Sequence, residues 1–363
     1  MTAKDELERV LIICEAGVNH NGSLDRAMEL VEAAARAGAD VVKFQTFKAE
    51  HIVTAAAPKA AYQNRNAPEY ASQLEMLKGL ELDADAHRAL IKHSLQHDIQ
   101  FLSTPFDCSS VHLLVETLGM KMLKVSSGDL TNAPLLLRMA QMDVDLILST
   151  GMATMDEIEE ALGVVAFGYL RGTSPHRAAF RAAWESEAGR AILQRRVSIL
   201  HCTSDYPAQL DDVNLRVIHA LHQHLGLRTG YSDHTQGIAV ALAATACGAR
   251  IIEKHITLDR NLPGPDHRTS LEPMEFAEMV SGIRAIEQAL GSSEKKPTAA
   301  ELSTRKVARK TIVAAKAIGR GEIFTVENLT TKRAGAGMMP VELWDLVGHP
   351  ATREYTTDEM IEA

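Results

Sequence analysis

Short apolar runs alternate with helical segments along most of this chain, and that alternation limits the folds it can adopt. The first run, Val10-Leu-Ile-Ile-Cys-Glu15, leads into Asn19-His-Asn-Gly22, where Asn and Gly suit a turn. Ser23 can cap the next segment, in which Leu24, Ala27, Met28, Val31 and Ala35 recur at helical spacing. Gly38 ends that helix, and Val41-Val-Lys-Phe-Gln45 reads as a second strand. Strand, helix and strand make a βαβ unit with parallel strands. Further strands are expected at 100–103, 121–125, 145–149, 197–201, 227–231 and 250–253. A long polar excursion separates the second and third, from Phe47 to Leu82, and a charged helical insert from about Pro175 precedes the sixth. Eight strands, most followed by helical sequence, fit an α/β fold of the (β/α)8 barrel (TIM barrel) type. The rival open, doubly wound sheet usually carries a glycine-rich fingerprint after its first strand, and none is present.

At 363 residues the chain is longer than one barrel of about 250 residues. After a helix expected at 272–290 the composition shifts: Gly291 to Thr298 is polar and reads as a linker, which 299–306 continues as a short helix. From Lys310 onward, short strands alternate with glycine turns such as Ile318-Gly-Arg-Gly321. The expected division is a barrel over 1–290, a linker over 291–306 and a small domain over 307–363. A unit of that size is marginal by itself. The net charge of −9 argues against a general nucleic-acid binder. No apolar run reaches the roughly 18 residues of a membrane span. Met1 to Arg9 is charged and runs straight into a strand, unlike a signal peptide. Cys14, Cys108, Cys202 and Cys247 show no CxxC spacing and are expected as free thiols of a cytoplasmic protein.

Polar residues collect at the carboxyl ends of the expected strands, where barrel active sites form. They are Glu15; Lys43 and Gln45; Ser103 and Thr104; Lys124, Ser126, Ser127 and Asp129; Ser149 and Thr150; His201, Thr203 and Ser204; Ser232 and His234; Glu253 and His255. Strand alternation places Glu253 and His255 on one face and Lys254 on the other. His234 and His255 suit a divalent metal site; alternatively, each is hydrogen-bonded separately in a packed interior. A lysine facing a barrel interior needs an anionic partner or must lose its charge. Lys43 and Lys124, with the Ser126-Ser127-Gly128 turn, therefore read either as an anion clamp or as internal salt bridges to Glu15, Asp129 or Glu253. A cation on two imidazoles, an anion on two lysines and Glu15 free for proton transfer would suit addition to a carbonyl. A Schiff-base aldolase using either lysine is the rival chemistry. His219, His222 and His224 read as a solvated helix face with a core contact.

Taken together, Ile13-Cys-Glu-Ala-Gly-Val-Asn-His-Asn-Gly22, Lys43-Phe-Gln-Thr46, Ser103-Thr-Pro-Phe106, Lys124-Val-Ser-Ser-Gly-Asp129 and His201-Cys-Thr-Ser-Asp-Tyr-Pro207 resemble the bacterial sialic acid synthase family. Gly230-Tyr-Ser-Asp-His-Thr235, Glu253-Lys-His-Ile-Thr-Leu-Asp-Arg260 and Gly264-Pro-Asp-His267 continue the likeness, and the tail around Lys332-Arg-Ala-Gly-Ala-Gly337 resembles that family's antifreeze-like (SAF) domain. The resemblance implies condensation of phosphoenolpyruvate with an N-acetylated mannose-type sugar, releasing phosphate and a nine-carbon 2-keto acid. It implies a divalent metal on His234 and His255, typically Mn2+, with Mg2+ or Co2+ as alternatives. Glu15 matches the carboxylate near the aldehyde and the attacking water. Lys43, Thr104, Lys124, Ser127, Ser204, Ser232 and Glu253 match positions around phosphoenolpyruvate. Gln45, Tyr206, Asp266 and Arg333 match positions near the sugar, with Arg333 reaching into the partner's barrel of a domain-swapped homodimer. N-acetylmannosamine is the first substrate the likeness suggests. A 2,4-diacetamido-2,4,6-trideoxy sugar leading to legionaminic or pseudaminic acid is the alternative. Departures from the family pattern fall at Ser204, where asparagine is frequent, at Asp129, where glutamate is common, and at Arg333-Ala-Gly, where Arg-Pro-Gly is usual. The insert at about 168–196 is also longer than in the shortest members.

Overall fold

A computed structural model describes residues 9–362 except Ala336; the charged lead-in over 1–8 lies outside the described residues. The chain divides into two compact units, Met1–Gly291 and Ser292–Ala363.

The first unit contains eight strands: β1 (Leu11–Gly17), β2 (Val41–Thr46), β3 (Gln100–Pro105), β4 (Met122–Val125), β5 (Asp145–Ser149), β6 (Val197–Cys202), β7 (Arg228–Asp233) and β8 (Ile251–His255). They form one sheet in the order β3-β2-β1-β8-β7-β6-β5-β4, with the paired strands parallel. β3 and β4 also lie in contact, which closes the sheet into a (β/α)8 barrel. Several strands run one or two residues beyond their expected ends. β7 includes Ser232 and Asp233, and β8 includes Lys254 and His255. A polar side chain can continue a strand when the barrel interior supplies it a partner.

Alternation along the strands stacks the interior in layers. Ile13, Val41, Leu102, Ile147, Leu200 and Ile251 pack together as an apolar floor. Two residues further along the same strands come Glu15, Lys43, Thr104, Ser149, Cys202 and Glu253. Ser232 and Lys124 join this polar layer from β7 and β4. Register sets their heights: Glu15 pairs with Lys43 and with His255, and Ser232 pairs with Glu253. The opposite strand faces carry Ile12, Cys14, Val42, Phe44 and Ile252 into the layer between sheet and helices.

The outer helices follow their sequence signals. Ser23 caps the helix Leu24–Arg36 through its side chain, and Gly38 follows with φ +82°. The insert is two helices, Arg177–Glu185 and Glu187–Arg196. Ala183 and Leu193 of the insert are buried in the core shared with the helix Met155–Tyr169. The excursion after β2 carries three short helices, Ala49–Ile52, Ala61–Asn66 and Gln73–Lys78, over a small core of Val18, Phe47, Ala67, Met76 and Leu80.

In the second unit the helix Ala299–Ala308 lies exposed, within and just past the expected linker. It leads to an antiparallel pair, β9 (Thr311–Ala314) and β10 (Leu329–Lys332). Isolated bridges, including Val313 to Met360 and Ile318 to Tyr355, surround a core that includes Ile312, Ile318, Phe324, Leu329, Tyr355 and Ile361. Among the described residues no helix is long and apolar enough to cross a membrane. All four cysteines are free.

Candidate active site

A cavity of about 570 Å3 opens at the carboxyl ends of the barrel strands, within the size range of small-ligand sites. Its floor is the polar layer. Lys43 Nζ lies 2.7 Å from Glu15 Oε2 and 3.5 Å from Glu253 Oε2, and donates to Thr104 Oγ1 at 3.1 Å. Lys124 Nζ donates to Ser149 Oγ at 2.6 Å and to the Val125 carbonyl at 3.1 Å, with Glu253 Oε1 at 3.6 Å. Ser232 Oγ donates to Glu253 Oε1 at 2.7 Å. The structure shows the internal ion pairs, to Glu15 and Glu253, and both lysines also line the cavity. Asp129 lines the cavity but accepts from Asn132 Nδ2 at 3.0 Å, with no lysine ion pair among the described residues.

Burial and charge separate the proton affinities of these groups. Burial alone would lower the Lys43 pKa, but the Glu15 and Glu253 carboxylates outweigh it, and the pKa is raised. Lys43 is held charged, which does not suit a Schiff-base nucleophile. Lys124 is lowered, because burial exceeds the pull of Glu253. Glu15 is raised, burial being only partly opposed by Lys43. Burial would also raise Glu253, yet Lys124 and Lys43 override it and push the group down to about 2. The pocket therefore holds one firmly ionised carboxylate and another that takes a proton more readily, the separation that general acid–base work requires.

His234 and His255 stand at the rim above this floor, with ring centroids 5.8 Å apart. Tyr206 packs against His234 at 4.3 Å, and Tyr62 against Tyr206 at 4.9 Å. Burial lowers the pKa of both histidines, with His234 adding to the effect on His255. Neutral imidazoles are the form that binds metal. The Nδ1 of His234 lies 2.8 Å from the Thr203 carbonyl oxygen and so carries the proton, leaving Nε2 with its lone pair. The Nδ1 of His255 is buried without a hydrogen-bond partner. Gly17 has φ +55°, and a Cβ there would lie 3.3 Å from Glu15 Oε1 and 3.4 Å from His255 Cε1. Its missing side chain keeps the space between carboxylate and imidazole open. An orphaned imidazole nitrogen and a second imidazole oriented by a carbonyl suit a divalent cation held by the two histidines.

Ser127, Ser204, Gln45 and Asp266 also line the cavity, together with Thr104, Tyr206 and Ser232. Gln45 donates to Glu15 Oε1 at 3.3 Å. Asp266 is raised to about 7, first by burial and then by Glu15. Arg333 is exposed just past β10 in the second unit. The trio His219, His222 and His224 forms no joint site: His222 bonds the Leu227 carbonyl and His224 pairs with Glu159. Of the excursion residues, Tyr62 and Gln63 line the cavity, whereas Asn64 donates to the Lys59 carbonyl. Sequence reasoning did not find the role of Cys202, whose thiol lies 3.1 Å from Ser127 Oγ and 3.2 Å from the Gly151 amide. Its place two residues after Leu200 on β6 was the available signal. It also missed the apolar flank of Val18, Phe47, Ile52, Met76, Leu80 and Phe106.

Fold and cavity together define a barrel enzyme that sets a floor of paired lysines and carboxylates beneath two neutral imidazoles. Residues 30–295 match the NeuB family, and the chain belongs to that family of synthases. It is 45% identical over 355 residues to an N,N'-diacetyllegionaminic acid synthase of Campylobacter jejuni, covering 98% of this chain and 99% of the relative. A protein of the same name from Legionella pneumophila is 43% identical over 337 residues, covering 93% and 89%. The solved structure of an N-acetylneuraminic acid synthetase from Leptospira borgpetersenii superposes with a TM-score of 0.65 at 31% identity, covering 85% of this chain and 96% of that one.

Proposed function

We propose that this enzyme condenses phosphoenolpyruvate with 2,4-diacetamido-2,4,6-trideoxymannose, giving N,N'-diacetyllegionaminate and phosphate. The observation that carries the reading is the convergence of Lys43, Lys124, Glu15, His234 and His255 on one cavity. The sequence motifs suggest N-acetylmannosamine first. Two considerations reverse that order. The relatives at 45% and 43% identity are both named for the diacetylated product. The apolar flank of the cavity also suits a sugar with extra methyl groups, since each buried CH2-sized group contributes about 0.8 kcal/mol. A hydroxyl placed there without a partner would cost roughly 1–3 kcal/mol.

Lys43, Lys124, Thr104, Ser127, Ser204 and Ser232 hold the carboxylate and phosphate of phosphoenolpyruvate, and Glu253 holds the two lysines in place. Gln45, Tyr206 and Asp266 orient the sugar. A divalent cation on His234 and His255, Mn2+ by family likeness, would polarise the aldehyde oxygen. C3 of phosphoenolpyruvate bonds to the aldehyde carbon, whose oxygen takes a proton from the Glu15 carboxyl. Water then adds to C2 and gives a proton to Glu15, which the raised pKa of that carboxyl favours. The C2–O bond to phosphate breaks as the C2 hydroxyl passes its proton to the departing phosphate, leaving the keto acid. We assign the second unit as an antifreeze-like domain whose Arg333 reaches the sugar of a partner subunit in a domain-swapped dimer. The four free cysteines suit a reducing compartment, and we place the enzyme in the cytoplasm.

The test is phosphate release from phosphoenolpyruvate with each sugar in turn, with and without Mn2+. Release should require metal and sugar together, with kcat/KM at least tenfold higher for the diacetamido sugar. Equal or reversed preference would overturn the sugar assignment, and no release with either would overturn the reaction.

A further inference from the structure

We propose a second metal site on the outside of the barrel, formed by Glu32, His93 and His97 and suited to Zn2+ or a similar borderline cation. Glu32 lies on the helix Leu24–Arg36, His93 on the helix Ala84–Gln96, and His97 caps the carboxyl end of the latter. One donor atom from each lies within 4.8 Å of the other two, and no other trio of His, Cys, Asp or Glu meets that spacing among the described residues. None of the three lines the active-site cavity.

The geometry is close to what the ion needs. Ligands about 2.0–2.1 Å from a tetrahedral zinc stand about 3.3 Å from one another. His93 Nε2 is 3.2 Å from Glu32 Oε1. The His93 and His97 rings, four residues apart, face the same side with centroids 4.6 Å apart. A helical pair of histidines at that spacing is a known way to present two nitrogens to one metal. Arg36 donates to the other oxygen of Glu32 at 3.2 Å, which fixes the carboxylate while leaving Oε1 turned to the imidazole. Two nitrogens and one oxygen favour Zn2+, Ni2+ or Cu2+ over Mg2+ or Ca2+, which prefer oxygen alone. His97 is exposed and His93 half-buried, so an ion enters from solvent and keeps a water as its fourth ligand.

A bound ion would clamp the helix after β1 to the helix before β3. Those two helices flank β2, the strand that carries Lys43. The site therefore stiffens the barrel wall without touching the chemistry.

The test uses the full chain stripped of metal, melted with and without micromolar Zn2+, beside His93→Ala/His97→Ala and His234→Ala/His255→Ala. Binding to the native state should raise Tm by several degrees in the unaltered protein and in the cavity variant, and not in the surface variant. Titration calorimetry should show one fewer zinc in the surface variant, and far-UV circular dichroism matching the unaltered protein should show that its fold is intact. A zinc response that survives in the surface variant and disappears in the cavity variant would overturn the proposal. So would a response that needs millimolar zinc.

Discussion

Asp266 and Glu253 line the same cavity with opposite proton affinities, about 7 and about 2, because only Glu253 has ammonium partners. An aspartate at 3.8 when unfolded and near 7 when folded binds more protons in the native state across that interval. Its burial therefore costs stability that grows as pH rises from 3.8 to 7 and is constant above, up to roughly 4 kcal/mol. Asp266→Asn should stabilise the free enzyme more at pH 8 than at pH 5 in urea denaturation, while weakening turnover. An equal gain at both pH values would show that the carboxyl titrates normally. Lys254 sits on the outward face of β8, fully buried, with Nζ 2.7 Å from Asp233 Oδ2 and from the Thr235 carbonyl. Asp233 Oδ1 accepts from the Thr235 amide and hydroxyl at 2.9 and 2.8 Å. Lys254→Met strands a buried carboxylate and should cost about 3–5 kcal/mol in denaturant melts. Adding Asp233→Leu should return much of that loss, since removing both charges removes the penalty.

Helix contacts set the geometry of the barrel wall beside the insert. Gly163 lies in the helix Met155–Tyr169, and a Cβ there would come within 2.6 Å of the Phe180 carbonyl oxygen in the first insert helix. A backbone atom cannot rotate aside as a side chain can. Gly163→Ala must push the two helices apart, at an expected 1–3 kcal/mol. Thermal melting should register that loss, with phosphate-release kinetics unchanged below the new transition. Lowered kcat with unchanged Tm would instead mean that the insert communicates with the cavity.

For the whole molecule, the proposed swap makes each active site a product of two chains. Glu15→Gln and Arg333→Ala should each be nearly inactive with the diacetamido sugar as homodimers. Mixed by co-expression, they should regain a substantial part of wild-type activity. In a swapped heterodimer one barrel has Glu15 intact and receives the intact Arg333 from its partner, while the other site carries both defects. If Arg333 served its own barrel, every mixed site would carry one defect and no activity would return. Activity in the isolated Arg333→Ala homodimer equal to wild type would remove the arginine from the site altogether.

Local sequence was enough to define the layers. A period of two along each strand puts Glu15 above Ile13, Lys43 above Val41 and Glu253 above Ile251, so the floor and its charged cover were readable before any coordinates. It also marked Ser23 and Gly38 as the limits of a helix, because those signals are local. Only the closed barrel decided which of these groups meet. Lys43 reaches both Glu15 and Glu253, Cys202 meets Ser127, Tyr62 stacks on Tyr206, and Glu32 finds His93. Such pairs are brought together by strand register and ring closure between distant segments, and a local pattern of apolar and polar residues does not contain that information. Where a strand runs past its expected end the reason is the same: Ser232 reads as an exit until Glu253, 2.7 Å away, makes it an interior residue.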